Sequence, residues 1–399
     1  LARPEMKAAT QRIAARYRAD AQGATAAGKA RVWRAATSIA AASANYALSE
    51  DASRPAVVWT VNAPHRWFGI SLPGSGFGID NPDNVYQGFS VVGGKHYLLR
   101  GKMPKGGPVQ LHLEVRDSIP GMGEMLVEGG RQLATIQSEQ MAFDPDGSFV
   151  IAVDGDPAGS GRNHLAIPGS GIVTVQIRQL LTDWAKQKPI EMQLEPVDPL
   201  PPAPPRDIPA LARRSAEILD KIGPYWLDYD NRFVFSRPAN VFGAPRLRPG
   251  GRGVSCSGHF DLRDDEALVV TVDSLGARSR GFQTTDPWGV AYDYDRRTSS
   301  LNATQAVPNA DGTFTYIIAA RDPGYANWLD TGGFGSGIAT LRWQVLGDNP
   351  DVTHAIRKVE KVPLAGLPEL LGSPPRWTKA DRRRQQQDRA KAYAVRLGR

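Results

Sequence analysis

The side chains best suited to chemistry lie between residues 280 and 343, where charged and aromatic residues are densest. Trp328, Asp330 and Arg321 fall within one segment, ARDPGYANWLDTGG. An indole offers an apolar platform for a ring, whereas a carboxylate and a guanidinium hold hydroxyl or acid groups through charge-assisted hydrogen bonds. Asp330 is therefore a candidate acid or base, and Arg321 a candidate for stabilising negative charge. The alternative is an ion pair that pins the loop, with Trp328 plugging the end of the domain.

A second group of candidates lies upstream, in the segment DPWGVAYDYDRR. If this segment is a strand, Asp293 and Asp295 share one face, and Asp293 becomes a second candidate acid or base. Trp288 and Tyr292 are candidate ligand contacts. The alternative is an exposed edge strand protected by charge, with Trp288 as a lid over the core.

His259 and Asp261 would share one face of a further strand, so the carboxylate could orient the imidazole as in a general base. No motif places a nucleophile beside them. The alternative is a half-buried histidine whose hydrogen bonds are satisfied by the fold. We keep His259 as a candidate ligand contact.

The elements that position these residues are repeated in the chain. DGSFVIAVDGDPAGSGRNHLAIPGSGIVTVQIRQLL begins at Asp146, and DGTFTYIIAARDPGYANWLDTGGFGSGIATLRWQVL begins at Asp311. Each copy gives an Asp-Gly turn, a strand, a Pro/Gly/Asn loop and a second strand carrying an Arg. Asn163 matches Asn327, which indicates an architectural role, although Asn327 also adjoins Trp328 and is kept as a ligand contact. The groups gained in the second copy favour a site in the second unit.

The repeat, with 41 glycines and 31 prolines, predicts a mainly β fold with flanking helices. We expect two β-sandwich or jelly-roll-like units related by internal duplication. The predicted divisions are a helical segment 1–50, a first unit 51–198, a proline-rich linker 199–207, a helix plus second unit 208–370 and a basic helix 371–399. The predicted helices include Ile208–Ile222 and Lys379–Arg396, and the predicted strands include Val254–Asp261, Phe233–Phe235 and Ile338–Val345.

Several classes of site are disfavoured by the sequence. It lacks the phosphate-binding loop, the dinucleotide-binding glycine motif, the GxSxG nucleophile elbow, and the HExxH and CxxC zinc motifs. Its six histidines are scattered, and Cys256 is the single cysteine. We therefore expect no metal and no cofactor. The cluster Asp80–Asn84 is open to two interpretations, a plain Asx turn or a Ca²⁺-binding loop.

The formal net charge of +7 is concentrated in the C-terminal tail. From Arg376 onwards there are nine Lys/Arg against two Asp, so the rest of the chain is formally neutral. We expect a small-molecule partner and no nucleic acid on the main units. The tail could form a homo-oligomer contact or bind an acidic partner. The charged N-terminal residues and the lack of a long apolar run predict a soluble, cytoplasmic protein without a transmembrane segment.

The segments NPDNVY, LLRG, GFQTTDPWG with YDYDRR, and ARDPGYANWLDTGG resemble the bacterial proteins that carry the domain of unknown function 1214, often paired with domain of unknown function 1254. The resemblance touches both units and implies two β-sandwich or jelly-roll-like units. The family pattern places a Gly-His pair after NWLDT, where this chain has Gly333-Phe334. The resemblance implies no activity.

From these residues we expect the second unit to bind a small hydroxylated ring compound such as a sugar, steroid or terpenoid. If the protein is an enzyme, it is a hydrolase or lyase that uses carboxylates without a metal. The alternative is a non-catalytic ligand-binding or scaffold protein.

Overall fold

Three helices pack together beside the sheets in the computed structural model, which describes residues 1–67, 69–126, 129–200, 202–372 and 374–397. They are α1 (Pro4–Ala19), α2 (Ala26–Ser49) and α3 (Ile208–Asp230). The hydroxyl of Thr25 and the carboxylate of Asp207 accept hydrogen bonds from the first turns of α2 and α3, so both helices begin at a side-chain cap. Ile13, Ala36 and Ile222 are fully or nearly fully buried where the three helices meet.

The strands of the first unit are β1 (Val58–Val61), β2 (His65–Trp67), β3 (Ile70–Leu72), β4 (Asn84–Val92), β5 (Tyr97–Lys102), β6 (Gln110–Arg116), β7 (Gln132–Gln137), β8 (Ser148–Asp154), β9 (His164–Ala166), β10 (Ile172–Leu180) and β11 (Met192–Pro196). Those of the second unit are β12 (Val241–Phe242), β13 (Arg246–Leu247), β14 (Val254–Asp261), β15 (Glu266–Val272), β16 (Ser279–Thr285), β17 (Ser300–Asn302), β18 (Phe314–Ala319), β19 (Trp328–Asp330), β20 (Ser336–Gln344) and β21 (Ile356–Pro363). Short 3₁₀ turns occur at Ala21–Ala24, Ser138–Gln140 and Leu364–Gly366, and two further helices are α4 (Leu367–Leu370) and α5 (Lys379–Arg396).

The two units share one strand order. In the first, a large sheet β1-β4-β10-β6-β7 lies opposite a small sheet β11-β5-β8-β9. In the second, a large sheet β12-β14-β20-β16-β17, with β13 also on β14, lies opposite a small sheet β21-β15-β18-β19. The pairs β8–β9 and β18–β19 are parallel, whereas the neighbouring pairs are antiparallel. The prediction of a mainly β fold with flanking helices and two duplicated units is therefore confirmed.

Each unit has its own apolar core, between its large and its small sheet. In the first core, Val175 of β10 and Leu113 of β6 pack with Ile151 of β8. In the second core, Leu341 of β20 packs with Ile318 of β18. Because side chains alternate along a strand, the residues between these core positions point to the other face of each large sheet.

Two local predictions differ from the structure. α3 does not end at Ile222 but continues through Pro224 to Asp230 and into a π-helical turn, Asn231–Phe235. The predicted strand Phe233–Phe235 is therefore wrong, because Phe233 packs its ring 4.8 Å from that of Tyr229, one helical turn earlier. The segment containing Asp293 is a turn rather than a strand, closed by the amides of Arg296 and Arg297, which donate to the Asp293 carbonyl.

The basic tail packs against its own chain. Arg382 donates to the Asp322 carboxylate, Arg389 donates to the carbonyl of Tyr294, and Arg396 donates to the carbonyl of Pro82. All three arginines are at least nine-tenths buried. These side chains are thus occupied within the chain, and an oligomer contact through the outer face of α5 stays a prediction. Pro201 of the linker and Ser373, Gly398 and Arg399 of the tail lie outside the described residues.

Within the described ranges, no helix combines the length and the apolar character needed to cross a bilayer.

Candidate functional site

The structure does not bring the predicted site residues of the second unit together in one cavity. Arg321 is exposed and pairs with Asp264 at 2.7 Å, whereas Asp330 is buried and pairs with Arg297 at 2.9 Å. The second oxygen of Asp330 accepts from the amide of Gly332 at 2.8 Å. Arg321 and Asp330 are therefore not paired with each other, and each charge is matched by a different neighbour.

Trp328 and Asn327 are held by the protein itself. The Trp328 indole donates to the carbonyl of Ala319, and its ring lies 5.0 Å from the Arg382 guanidinium of α5. Asn327 donates to the carbonyls of Val307 and Thr315, and its oxygen accepts from the Val307 amide. The architectural interpretation of Asn327 fits these contacts, and the ligand contacts of Trp328 and Asn327 stay predictions.

Three further candidates join the helices to the second unit. Trp288 donates to the carbonyl of Gly28 and stacks on Tyr17, at a distance of 4.8 Å between ring centroids. Asp293 pairs with Arg34 of α2 at 2.8 Å. Tyr292 is buried beneath the Arg31 guanidinium, 5.1 Å from its ring. This junction attaches α1 and α2 to the loop 286–293. Trp288 covers the core, as the alternative interpretation has it, but the segment is not the exposed edge strand of that alternative.

His259 does not pair with Asp261. Its Nδ1 lies 3.4 Å from the carbonyl of Val234, and its ring packs against Phe235. Burial lowers the pKa of His259, which favours the neutral imidazole. Its predicted ligand contact stays a prediction.

A polar cleft with a volume of about 200 Å³ lies between the two units, beneath α2 and α3. Its walls come from β4, β6 and β10 of the first unit, β14 and β20 of the second, and the loop that precedes β4. Aromatic side chains of Tyr46, Phe77 and Trp226 form its apolar side. None of the eight residues predicted from the sequence lines this cleft.

Equivalent strands of the two copies form the polar walls. Gln176 and Arg178 lie on the outward face of β10, and Arg342 and Gln344 occupy the aligned positions on β20. Along the strand, glutamine precedes arginine in the first copy, whereas arginine precedes glutamine in the second, so the order of amide and guanidinium is exchanged. Arg342 donates to Gln283 at 2.6 Å and to the carbonyl of Ile79, so it holds the preceding loop against the second unit.

A buried carboxylate organises the charged wall of the first unit. Glu114 of β6 accepts from Arg116 at 2.9 Å, from Arg178 at 2.8 Å and from Gln132 at 2.7 Å. Burial alone would raise the pKa of Glu114, but the charges of Arg178, Arg116 and Arg252 outweigh it and hold the pKa well below its usual range. Glu114 is therefore ionised and keeps two guanidinium groups in place at the cleft.

The loop before β4 contributes the carboxyl group that lines the cleft itself. Asp80 is 5 % exposed, and its Oδ1 has no hydrogen-bond partner. Burial raises the pKa of Asp80 to about 7, against the opposing charge of Arg342. The backbone carbonyl of Asp80 accepts from Gln283 at 2.8 Å, and Asn81 donates to Gln344 at 2.9 Å. The loop is thus fixed to the second unit while one carboxylate oxygen stays unused.

Trp226 is seated against three glycines. A Cβ atom at Gly78 would lie 2.9 Å from its ring, one at Gly121 would lie 2.8 Å from its Nε1, and one at Gly129 would lie 3.1 Å from its ring. All three glycines have positive φ, a conformation that costs other residues free energy. The indole Nε1 is buried and has no hydrogen-bond partner.

Five residues of the cleft carry a buried side-chain atom without a hydrogen-bond partner. They are the donors Arg116 Nε, Gln176 Nε2 and Trp226 Nε1 and the acceptors Asp80 Oδ1 and Asn84 Oδ1. Buried polar groups in proteins are nearly always hydrogen-bonded to protein, water or ligand. A mixed set of donors and acceptors next to aromatic walls can therefore receive a molecule with hydroxyl or carbonyl groups.

The two interpretations of Asp80–Asn84 are separated by its contacts. The Asn81 Oδ1 accepts from the amide of Asp83 at 3.1 Å, which is an Asx turn. The Asp83 carboxylate accepts from Trp184 and Asn302, so it is occupied by side-chain donors. Across the described parts of the chain, no group of three or more His, Cys, Asp or Glu side chains is placed to hold a metal ion.

Sequence reasoning missed the cleft because its residues are outward-facing strand positions, which ordinarily face water. One signal was available: the motif NPDNVY contributes Asn81, Asn84 and Tyr86 to the lining. From the sequence, that motif was open to interpretation as a turn or a Ca²⁺-binding loop, and the candidate site was predicted in the second unit.

Comparison with known proteins identifies the fold and not a function. No family model matches the chain, and no curated protein matches it. The structure is similar to that of an uncharacterized protein from Burkholderia cenocepacia, with a TM-score of 0.73 and 23% identity over 91% of this chain and 96% of that one. A weaker likeness, with a TM-score of 0.42 and 10% identity, joins 82% of this chain to 99% of the VPA0106 protein from Vibrio parahaemolyticus.

Proposed function

We propose that the protein binds a small hydroxylated ring compound in the cleft between its two units. The observation that carries this proposal is the set of five buried polar atoms without partners on residues lining one cleft. The aromatic side of the cleft would contact the ring, and the mixed donors and acceptors would contact its hydroxyl or carbonyl groups. This moves the site expected from the sequence out of the second unit.

The size of the cleft narrows the ligand class. Its volume of about 200 Å³ lies below the range of roughly 300–1,000 Å³ that accommodates drug-sized molecules. A single-ring sugar or a monocyclic terpenoid fits this proposal better than a steroid with four fused rings. Arg178 and Arg342 add positive charge to opposite walls, which favours a carbonyl or acid substituent on the ring.

The experiment is a binding measurement with a matched pair of tryptophan variants. Trp226→Phe removes the unpartnered indole donor and keeps an aromatic ring, whereas Trp33→Phe changes a tryptophan of α2 that is half exposed. We measure thermal shifts and calorimetric affinities with monosaccharides, inositols and monocyclic terpenoid alcohols. Loss of one hydrogen bond of about 1 kcal/mol should weaken binding about fivefold in Trp226→Phe and leave Trp33→Phe unchanged.

A second candidate is a non-catalytic scaffold. It is favoured by the ion pairs Arg31–Asp286 and Arg34–Asp293, which join α2 to the second unit and occupy the predicted site residue Asp293. A scaffold predicts no shift with any compound of the panel and equal behaviour of the two tryptophan variants. That result would overturn the binding proposal.

We also propose membership of the family with domain of unknown function 1214. The support is the position of its motif NPDNVY, of which three residues line the cleft. A profile built from sequences that share NPDNVY and NWLDT would test the membership, since it should align with both units of this chain.

A further inference from the structure

We propose that the cleft is catalytic, and that Asp80 is the general base that removes a proton from a ring compound bearing a carbonyl group and a hydroxyl group on the second carbon from it. The reaction class is the loss of water from a cyclic β-hydroxy ketone. This inference rests on the proposed function, because it requires that the compound bind in the cleft.

The position of Asp80 is the first step of the argument. Among the described residues that line the cleft, Asp80 carries the one carboxyl group. Its Oδ1 has no hydrogen-bond partner, although the residue is 95 % buried from solvent by its neighbours. A structural carboxylate in such a place is normally paired, as Glu114 is with Arg116 and Arg178. Asp80 instead lines the cleft with one carboxylate oxygen that no protein group binds.

The groups around Asp80 set its protonation. Arg342 of β20 lowers its pKa, Asp286 of the loop 286–293 raises it, and burial is the largest influence. Tyr294, from the segment after that loop, also feels the charge of Asp80. The resulting pKa of about 7 suits a group that must accept a proton and then return it near neutral pH. This supports the geometry and does not replace it.

The unpartnered donors supply the second element of the mechanism. Arg116 Nε, Gln176 Nε2 and Trp226 Nε1 are three N–H groups with no acceptor in the fold. A carbonyl oxygen of the substrate would accept from such donors, and they would stabilise the negative charge that develops on it. Trp226 is fixed for this role by its three glycines, so the donor need not reorganise during the reaction.

The bonds of the proposed step balance without a further reactant. The Asp80 carboxylate takes the proton from the carbon beside the carbonyl, and the electrons of that C–H bond form an enolate. The enolate then re-forms the carbonyl and expels the β-hydroxyl group with its bonding electrons, which gives a carbon–carbon double bond. The leaving hydroxide takes the proton from the Asp80 carboxylic acid and departs as water. Asn84 Oδ1, which also lacks a partner, would orient the hydroxyl by accepting its hydrogen bond.

One carboxyl group is sufficient for this sequence. Glycoside hydrolysis ordinarily uses a pair of carboxyl groups flanking the bond. The described lining of the cleft offers a single one, so an elimination fits it better than the hydrolysis of a sugar.

The experiment uses 3-hydroxycyclohexanone as the probe with the full chain. In deuterated buffer at about pH 8, proton NMR follows exchange of the hydrogens between the carbonyl and the hydroxyl-bearing carbon, together with formation of cyclohex-2-enone. We compare the wild type with Asp80→Asn, which keeps the shape of the side chain, and with the surface variant Trp33→Phe. We expect the wild type and Trp33→Phe to exchange the probe about a hundredfold faster than Asp80→Asn.

Asp80→Asn is expected to stay folded at the assay pH, so slower exchange by this variant would not result from unfolding. Because the pKa of Asp80 is raised to about 7, ionising it destabilises the fold as pH rises from about 4 to about 7, and the full penalty remains at about pH 8, so the neutral amide should melt no lower than the wild type there. If Asp80→Asn nevertheless unfolds, Trp226→Phe provides the second comparison. It should slow exchange about tenfold through loss of one oxyanion donor.

Each outcome decides a separate point. Equal exchange by the wild type and Asp80→Asn overturns the role of Asp80. Broadening of the probe resonances without exchange overturns the proton transfer and leaves the binding function standing. Neither broadening nor exchange overturns the hydroxy-ketone class, while the compound panel decides the binding function independently.

Discussion

The two units have the same strand order but place different chemistry on the outward faces of their large sheets. The register of β10 with β6 sets His112, Glu114 and Arg116 opposite Arg178, Gln176 and Thr174. The equivalent register of β20 with β16 sets Ser279, Gly281 and Gln283 opposite Gln344, Arg342 and Thr340. β6 of the first unit therefore carries three ionisable groups, whereas β16 of the second unit carries small or neutral residues at the equivalent positions.

This difference has a packing reason on the side of the second unit. A Cβ atom at Gly281 would lie 2.9 Å from Asp83 Oδ2, which belongs to the loop of the first unit. Where the first unit needs Glu114 to hold arginines, the second unit needs space to receive that loop. A difference between repeats thus reports a different neighbour as readily as a different function.

The parallel strands teach the same lesson. His164 of β9 pairs with Asp154 at 2.8 Å, whereas its counterpart Trp328 of β19 lies beneath Arg382 of α5. The sequence suggested that the tryptophan was gained for a ligand. The structure shows that it covers the place where the C-terminal helix docks.

The largest expected effect tests that contrast between Trp328 and His164. Trp328→Ala should lower the free energy of unfolding by about 3–5 kcal/mol, because it leaves a cavity under Arg382 and an unpaired Ala319 carbonyl. His164→Ala should cost only about 1–2 kcal/mol, since it removes one hydrogen bond. Urea unfolding followed by circular dichroism measures both. Equal losses of unfolding free energy would show that the two positions contribute equally to stability and would contradict this contrast.

The matching residues Asn163 and Asn327, by contrast, are expected to have the same structural role in the two units. Asn163 donates to the carbonyls of Ala142 and Val150 and accepts from the Ala142 amide, as Asn327 does with Val307 and Thr315. Alanine at either position should cost about 2–4 kcal/mol, because buried backbone groups lose their partners. Asn327 has φ of 53°, so its replacement should cost roughly 1 kcal/mol more. Thermal and urea unfolding of both variants checks this, and a loss confined to one copy would contradict the shared role.

The smallest effect concerns pH and a histidine that the second unit lacks at the equivalent position. His112 Nε2 donates to the Gly250 carbonyl at 2.6 Å, and burial lowers the pKa of His112 to about 4. The unfolded chain binds this proton near pH 6.5, so acidification from about 6.5 to about 4 should remove up to roughly 3 kcal/mol of stability, and less where water relieves the burial. His112→Gln should lack this decline. Urea unfolding across this pH range measures the difference, and parallel curves for both proteins would contradict it.

The regular parts of the fold followed from local pattern. Alternating residues predicted β14 (Val254–Asp261) with its bounds, and Thr378, which caps the helix together with Asp381, begins α5 where the sequence placed it. β19 and β21 were not predicted, because a three-residue strand and a largely exposed strand give little alternation to detect.

The candidate site could not be predicted in the same way. Gln176 and Arg178 alternate with apolar residues, and such a pattern is the same whether the polar face meets water or a second unit. Only the tertiary arrangement distinguishes these cases. The segment around Tyr292 and Asp293 misled the prediction for the opposite reason, since its charges bind α2 rather than a ligand.

The exchanged order of amide and guanidinium on β10 and β20 would affect the orientation of a molecule bound in the cleft. Identical residues at the aligned positions would have given the cavity two interchangeable ends. With Gln176 and Arg178 on one copy and Arg342 and Gln344 on the other, the ends differ in hydrogen-bonding character. A guest with unlike substituents would then bind in one orientation, so a duplicated scaffold would present a defined end of the ring to each unit.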